Sequence, residues 1–129
     1  MRRKKILVVE DDVDLGRLMH QRLKASGFEP FVVPDAVLGV QEAFRRKPDL
    51  ILLDLMLPAG GGLAVLKGLK RSVYTAHIPV LVVSGIQQDF YEGHECYLRK
   101  AHEMGIEGYL GKPFESRELL SRIEQILVV

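Results

Sequence analysis

Residues 50–58 read LILLDLMLP, and the apolar run Leu50–Leu53 ends at the carboxylate of Asp54. A short, uniformly apolar run of Leu and Ile is typical of a strand buried on both faces of a parallel sheet. Parallel strands point the same way, so their last residues collect along one edge, where open α/β sheets bind ligands. Asp54 is therefore predicted to lie at a binding site.

Three further apolar runs end in a charged or hydroxyl-bearing side chain. They are residues 5–9 before Glu10 and Asp11, residues 80–83 before Ser84, and residues 108–111 before Lys112. If all four runs are parallel strands, three carboxylates, a hydroxyl and an ammonium group meet at one edge of the sheet.

Segments with helical periodicity separate these runs, and such alternation predicts a parallel sheet covered by helices on both faces. A fifth run, residues 28–33, contains Pro30, which cannot donate a ladder hydrogen bond and so belongs at a sheet edge. This fits the flavodoxin-like strand order 2-1-3-4-5. The prediction is one doubly wound α/β domain over residues 1–129, with an extended segment at about residues 86–96 between the fourth strand and fourth helix.

Length and composition point to one ordinary globular domain. The chain has 129 residues, of which 47% are apolar, and 18 basic residues balance 17 acidic ones. This balance creates no overall field for nucleic acid or an anionic membrane. No run is long enough to span a bilayer, and Cys96 alone cannot form an internal disulfide. We therefore expect a cytoplasmic protein that contacts neither nucleic acid nor membrane.

The acidic cluster needs a cation. Neighbouring carboxylates at Glu10, Asp11 and Asp54 would repel and raise one another's pKa values. Carboxylate oxygens without nearby His or Cys suit Mg²⁺, which readily shares a phosphate oxygen as a further ligand. Lys112 adds a positive charge for phosphate, and the Ser84 hydroxyl can donate to a phosphoryl oxygen. These are the components of a phosphoryl-transfer site.

The four motifs in this order resemble the receiver domain of two-component response regulators. The matching stretches are ILVVEDD (6–12), LILLDLMLP (50–58), PVLVVSG (79–85) and GYLGKPF (108–114). The resemblance implies that Asp54 is the phospho-acceptor, attacking a phosphohistidine of a sensor histidine kinase or phosphotransfer protein. It also implies that the domain promotes only its own phosphorylation and dephosphorylation and is not a metabolic enzyme.

The same resemblance implies roles for the surrounding residues. Glu10 and Asp11 would hold Mg²⁺, directly or through water, together with Asp54 and the backbone carbonyl of Met56. The resemblance further assigns Lys112 to pairing with the acceptor, Ser84 and Tyr109 to switching, and a cis peptide bond to the Lys112–Pro113 pair. Output is expected through the face formed by the fourth helix, fifth strand and fifth helix, toward an output domain or a separate protein.

Three features depart from the family pattern. One is Glu10, which stands where Asp is commoner and is still expected to permit a water-mediated metal contact. Three glycines, Gly60 to Gly62, replace a loop that usually has one, and predict a flexible turn after the acceptor strand. In addition, 28 positions separate Ser84 from Lys112, more than the family usually shows, and the excess is expected in a loop.

Other functions fit less well. A receiver-like interaction module controlled without phosphate is the main alternative. An aspartyl-phosphate hydrolase would need a second acid two residues after the nucleophile, where this chain has Met56. Flavin binding would need a Ser/Thr-rich phosphate loop after the first strand, and zinc ligation by His94, Cys96 and His102 lacks paired spacing.

Overall fold

The computed structural model describes residues 2–58, 61–85 and 96–128, and strands alternate with helices through these ranges. The strands are β1 (Lys5–Val9), β2 (Glu29–Val33), β3 (Leu50–Leu53), β4 (Val80–Ser84) and β5 (Gly108–Gly111). The helices are α1 (Val13–Ala25), α2 (Ala36–Arg46), α3 (Gly61–Lys70), α4 (Cys96–Met104) and α5 (Ser116–Leu127). In these ranges no helix is long and apolar enough to cross a membrane.

The strands form one parallel sheet in the order β2-β1-β3-β4-β5, which confirms the predicted fold. β3 lies between β1 and β4, so that Leu53 is opposite both Val9 and Val82. Because neighbouring strands end at the same level, the residues that follow β1 and β3 leave the sheet side by side. Strand β2 lies at one edge, as Pro30 predicted, although it begins at Glu29 rather than at Phe28.

Buried side chains cover both faces of the sheet, because successive residues of a strand point to opposite sides. Leu7 and Val9 of β1 pack with α2, α3 and α4, whereas Ile6 and Val8 pack with α1 and α5. The helical side chains in the first cluster are Ala43, Val65, Leu66, Leu69 and Ala101; those in the second are Met19, Leu23, Leu119 and Ile123.

Acidic caps define where several helices begin. The Asp12 carboxylate accepts a hydrogen bond from the Leu15 N–H (3.0 Å), and the Asp35 carboxylate accepts one from the Leu38 N–H (2.8 Å). Each bond satisfies a backbone donor that the first turn leaves without a helical partner. Asp12 is therefore the N-cap of α1 and is not counted with the site carboxylates.

The prediction of a flexible turn is wrong for two of the three glycines. Gly61 and Gly62 are buried and form the first turn of α3, while Gly60 lies outside the described residues. The extended segment predicted at about residues 86–96 also lies outside them, except that Cys96 begins α4. The predicted fourth helix is present as α4 (Cys96–Met104).

Candidate functional site

Three carboxylates meet at the carboxyl end of the sheet. Glu10 and Asp11 follow β1, Asp54 follows β3, and one oxygen from each lies within 4.8 Å of the other two. The side chains of Glu10 and Asp54 are buried, whereas Asp11 is exposed. Adjacent strands thus deliver the predicted acidic cluster to a site that is open to solvent on one side.

Lys112 joins the two buried carboxylates. Its Nζ donates to Glu10 Oε1 at 2.6 Å and to Asp54 Oδ2 at 2.9 Å. The lysine follows β5, and its backbone N–H donates to the Ser84 carbonyl oxygen at 3.0 Å, so β4 and β5 hold it at the same level as Asp54. The predicted cis peptide bond between Lys112 and Pro113 is present.

The Asp54 carboxylate is held through both oxygens. Oδ1 accepts hydrogen bonds from Ser84 Oγ (3.0 Å) and from the Met56 N–H (2.8 Å), while Oδ2 receives the Lys112 ammonium. Ser84 is fully buried at the end of β4. Contacts from three separate parts of the chain therefore determine the direction of the carboxylate.

Tyr109 connects this cluster to the edge strand β5. Its hydroxyl donates to the Ser84 carbonyl oxygen at 3.1 Å, and Arg122 of α5 donates from Nη1 to the Tyr109 carbonyl oxygen at 3.0 Å. Burial raises the pKa of the Tyr109 hydroxyl, and the nearby Asp54 charge adds to the effect. The sequence offered no signal for Arg122, because its partner is a backbone atom that any residue supplies.

Burial and ion pairing have opposite effects on the pKa values of Glu10 and Lys112. Burial raises the pKa of Glu10; the Lys112 ammonium and the hydrogen bond from the Asp12 N–H offset only part of the rise. For Lys112, burial alone would lower the pKa, but the hydrogen bonds to Glu10 and Asp54 outweigh it and raise the pKa. The ammonium therefore stays charged at neutral pH.

The donor set fits a hard divalent cation. Three carboxylates within reach of one another supply oxygen ligands of the kind that Mg²⁺ binds, and exposed Asp11 leaves an entry path. Throughout residues 2–58, 61–85 and 96–128 this is the one group of His, Cys, Asp or Glu side chains with such spacing. Of the disfavoured zinc ligands, His94 and the Cys96 side chain lie outside the described residues, and His102 is exposed on α4.

An apolar groove of about 410 Å³ adjoins the site between α1 and the start of α5. The groove shares Lys112 with the site, and Asp12 also lines it. Its apolar walls are formed by Leu15, Leu18 and Met19 on one side and by Pro113, Phe114 and Leu119 on the other. A surface of this kind can accept apolar side chains of a partner that approaches Asp54.

Comparison with known proteins gives a consistent result. A profile described as "Response regulator receiver domain" matches residues 6–124. The phosphate regulon transcriptional regulatory protein PhoB of Escherichia coli is 36% identical over 124 residues, which cover 96% of this chain and 52% of PhoB. The chain thus spans about half the length of the relatives it matches.

Solved structures have the same fold. The BeF3-activated N-terminal receiver domain of RstA from Klebsiella pneumoniae has a TM-score of 0.82 and 28% identity, covering 98% of this chain and 100% of that one. The receiver domain of sensor histidine kinase PA1611 from Pseudomonas aeruginosa, with magnesium coordinated in its active site cleft, has a TM-score of 0.82 and 24% identity. The match covers 96% of this chain and 97% of the PA1611 domain.

Proposed function

Since this chain belongs to the response regulator receiver domain family, we propose that it is a phosphorylation-dependent signalling switch whose phospho-acceptor is Asp54. The observation that carries the assignment is the position of the Asp54 carboxylate, which is buried between the Lys112 ammonium, the Ser84 hydroxyl and two other carboxylates. Residues 1–129 would act as one receiver domain in the cytoplasm, promoting only its own phosphorylation and dephosphorylation.

The metal of this proposal is Mg²⁺, held by Glu10, Asp11 and Asp54 with the backbone carbonyl of Met56. When bound, the cation supplies positive charge that neutralises the carboxylates and the incoming phosphoryl oxygens. Lys112, which follows β5, supplies a second positive charge. Removing Asp11 should weaken Mg²⁺ binding most directly, because its exposed carboxylate forms no ion pair with a lysine among the described residues.

The chemical step is an in-line transfer. An Asp54 carboxylate oxygen attacks the phosphorus of a phosphohistidine, the new O–P bond forms as the P–N bond breaks, and the released imidazole takes up a proton. Lys112 then pairs with a phosphoryl oxygen. The Ser84 hydroxyl, which donates to Asp54 Oδ1 at 3.0 Å before transfer, turns to another phosphoryl oxygen. Tyr109, whose hydroxyl donates to the Ser84 carbonyl oxygen at 3.1 Å, is the residue proposed to respond to this rearrangement.

The proposed partners lie on two surfaces. A sensor histidine kinase or phosphotransfer protein has to bring its phosphohistidine to Asp54, so it would cover the apolar groove beside Lys112. The output domain or protein would read the face made by α4, β5 and α5, which contains Tyr109 and Arg122. PhoB is a transcriptional regulatory protein about twice as long as the match, and a similar output is proposed here.

The test is intact-protein mass measurement after incubation with a small-molecule phosphodonor and Mg²⁺. We expect the parent to gain one phosphoryl group and Asp54→Asn to gain none. Asp49→Asn is the matched control, since Asp49 is a partly buried carboxylate that accepts from the Lys5 N–H, near the start of β1. A parent that gains no phosphate, or an Asp54→Asn protein that labels equally well, would favour the alternative of an interaction module controlled without phosphate.

A further inference from the structure

Gly62 lies against the backbone that carries the acceptor. A methyl group in place of its hydrogen would clash with the Leu55 Cα atom and would lie 2.5 Å from the Leu55 carbonyl oxygen and 2.6 Å from the Asp54 carbonyl oxygen. Real side chains do not approach backbone atoms so closely. The first turn of α3 can therefore touch the acceptor segment only because residue 62 has no side chain.

This contact differs from those of the other described glycines. A methyl group on Gly61 would meet the Ala36 and Leu57 side chains at 3.1 and 3.3 Å, and one on Gly68 would meet Val40 Cγ2 at an ordinary 3.6 Å. In the described chain, Gly62 is the glycine whose added methyl would press on backbone rather than on side chains. Contacts of 3.1 Å or more require neighbours to shift by only a few tenths of an ångström, whereas at Gly62 the helix or the acceptor segment would have to move.

Gly62 lies against the backbone of residues 54–56, which shapes the site. The Met56 N–H donates to Asp54 Oδ1 at 2.8 Å, so the backbone of residues 54–56 helps to orient the carboxylate. That backbone also carries the Met56 carbonyl, the oxygen proposed to face the metal. A displacement of this backbone would move an anionic ligand and a carbonyl ligand together.

We infer that Gly62 is a positioning residue for the metal and phosphoryl site, with α3 acting as a rigid support behind residues 54–56. The inference rests on the proposed function, because it assumes that Asp54 and the Met56 carbonyl bind Mg²⁺. It predicts that metal affinity depends on a residue that is buried in a helix and carries no ligand atom.

The experiment measures Mg²⁺ affinity of the unphosphorylated protein by titration calorimetry. Gly62→Ala is expected to weaken Mg²⁺ binding about tenfold or more, the size of loss seen when the support of a metal ligand is removed. Gly68→Ala, in the same helix with room for a methyl group, should bind Mg²⁺ as the parent does. Leu69→Ala controls for lost stability, since it empties a core position roughly 10 Å farther along α3.

Parent-like Mg²⁺ affinity in folded Gly62→Ala would overturn the inference, as would an equal loss in Leu69→Ala. If Gly62→Ala does not fold, amide resonances of the parent decide the matter. On Mg²⁺ saturation, the Gly62 amide should shift together with those of Leu55 and Met56 while Gly68 stays in place, and a stationary Gly62 would refute the inference. Failure of the parent itself to bind Mg²⁺ or gain phosphate would count against the proposed function instead.

Discussion

Replacing Lys112 with Met would remove the cation that joins the two buried carboxylates of the site. In the parent, the Lys112 ammonium lies 2.6 Å from Glu10 and 2.9 Å from Asp54, and both acids are almost completely buried. Methionine keeps an apolar stem but carries no charge. The variant would then hold two desolvated carboxylates with no cation between them, and folding should become less favourable.

The expected loss is about 3 kcal/mol of unfolding free energy. Two unit charges no more than 4.8 Å apart repel by at least about 3.5 kcal/mol at an effective dielectric constant of about 20. Removing one member of a buried ion pair costs about 3–5 kcal/mol, and the 20% exposure of the Lys112 side chain favours the lower end. With an unfolding entropy of about 2.1 cal/mol/K per residue, 129 residues translate this loss into a melting temperature about 10 °C lower.

Two treatments should restore the variant. Mg²⁺ would replace the missing positive charge, so it should raise the melting temperature of Lys112→Met more than that of the parent. Lowering the pH should also stabilise the Lys112→Met variant. Without Lys112, the pKa of Glu10 rises further above its ordinary value of 4.5, the folded state binds more protons than the unfolded one, and stability increases as pH falls toward that value.

Scanning calorimetry at neutral pH, with and without Mg²⁺, measures all of these effects. Lys67→Met is the matched control, because Lys67 is an exposed lysine of α3 that forms no ion pair with any described residue. The control should melt with the parent. The reasoning is refuted if Lys112→Met also melts with the parent, or if Mg²⁺ raises the melting temperatures of parent and variant equally.

Four further predictions concern stability, pH and lifetime. Thr75→Val removes a buried 2.7 Å hydrogen bond to a carbonyl of α3 and should lower the unfolding free energy by about 1–2 kcal/mol in urea; an unchanged midpoint would contradict this. Lys47→Gly relieves a left-handed φ of 49° and should raise that free energy by about 0.5 kcal/mol, whereas a lower melting temperature would argue against it. In the parent, the pKa of Glu10 is raised in the folded state, so protonation of Glu10 stabilises the fold fully below pH 4.5 and no longer does so once the pH has risen through the folded-state pKa. Glu10→Gln should therefore reduce the change of unfolding free energy with pH in that range. A pH dependence identical to that of the parent would exclude the effect. The double variant Met56→Asn, Ile86→Glu should lose its phosphoryl group faster than the parent, because polar side chains can orient the attacking water. Position 86 lies outside the described residues. Unchanged or slower loss of the phosphoryl group would show that other residues control water access.

Several features of the fold could be predicted because they depend on local pattern. The uniformly apolar run before Asp54 indicated a strand buried on both faces, and Pro30 indicated an edge strand. Since strands and helices alternate along the chain, the sheet had to be parallel, with its strand ends on one edge. The family resemblance then suggested roles for Lys112 and Ser84, whose contacts with Asp54 are present in the structure.

Other features depend on which distant atoms meet, and pattern does not contain that information. The three glycines indicated a flexible turn, yet Gly61 and Gly62 are helical, because α3 packs directly against the backbone after β3. Arg122 carries no motif, and only the packing of α5 brings its guanidinium to the Tyr109 carbonyl.

The sequence by itself determined where the strands lie along the chain and which chemical groups follow them, because burial and periodicity are properties of neighbouring residues. Tertiary structure decided which oxygens share the Lys112 ammonium, since Glu10 and Asp54 stand 102 and 58 positions away along the chain. It also decided how closely α3 approaches the acceptor. Both features depend on distances between backbone segments that come together only when the helices pack on the sheet. A difference of about one ångström in such a distance separates a contact from a clash.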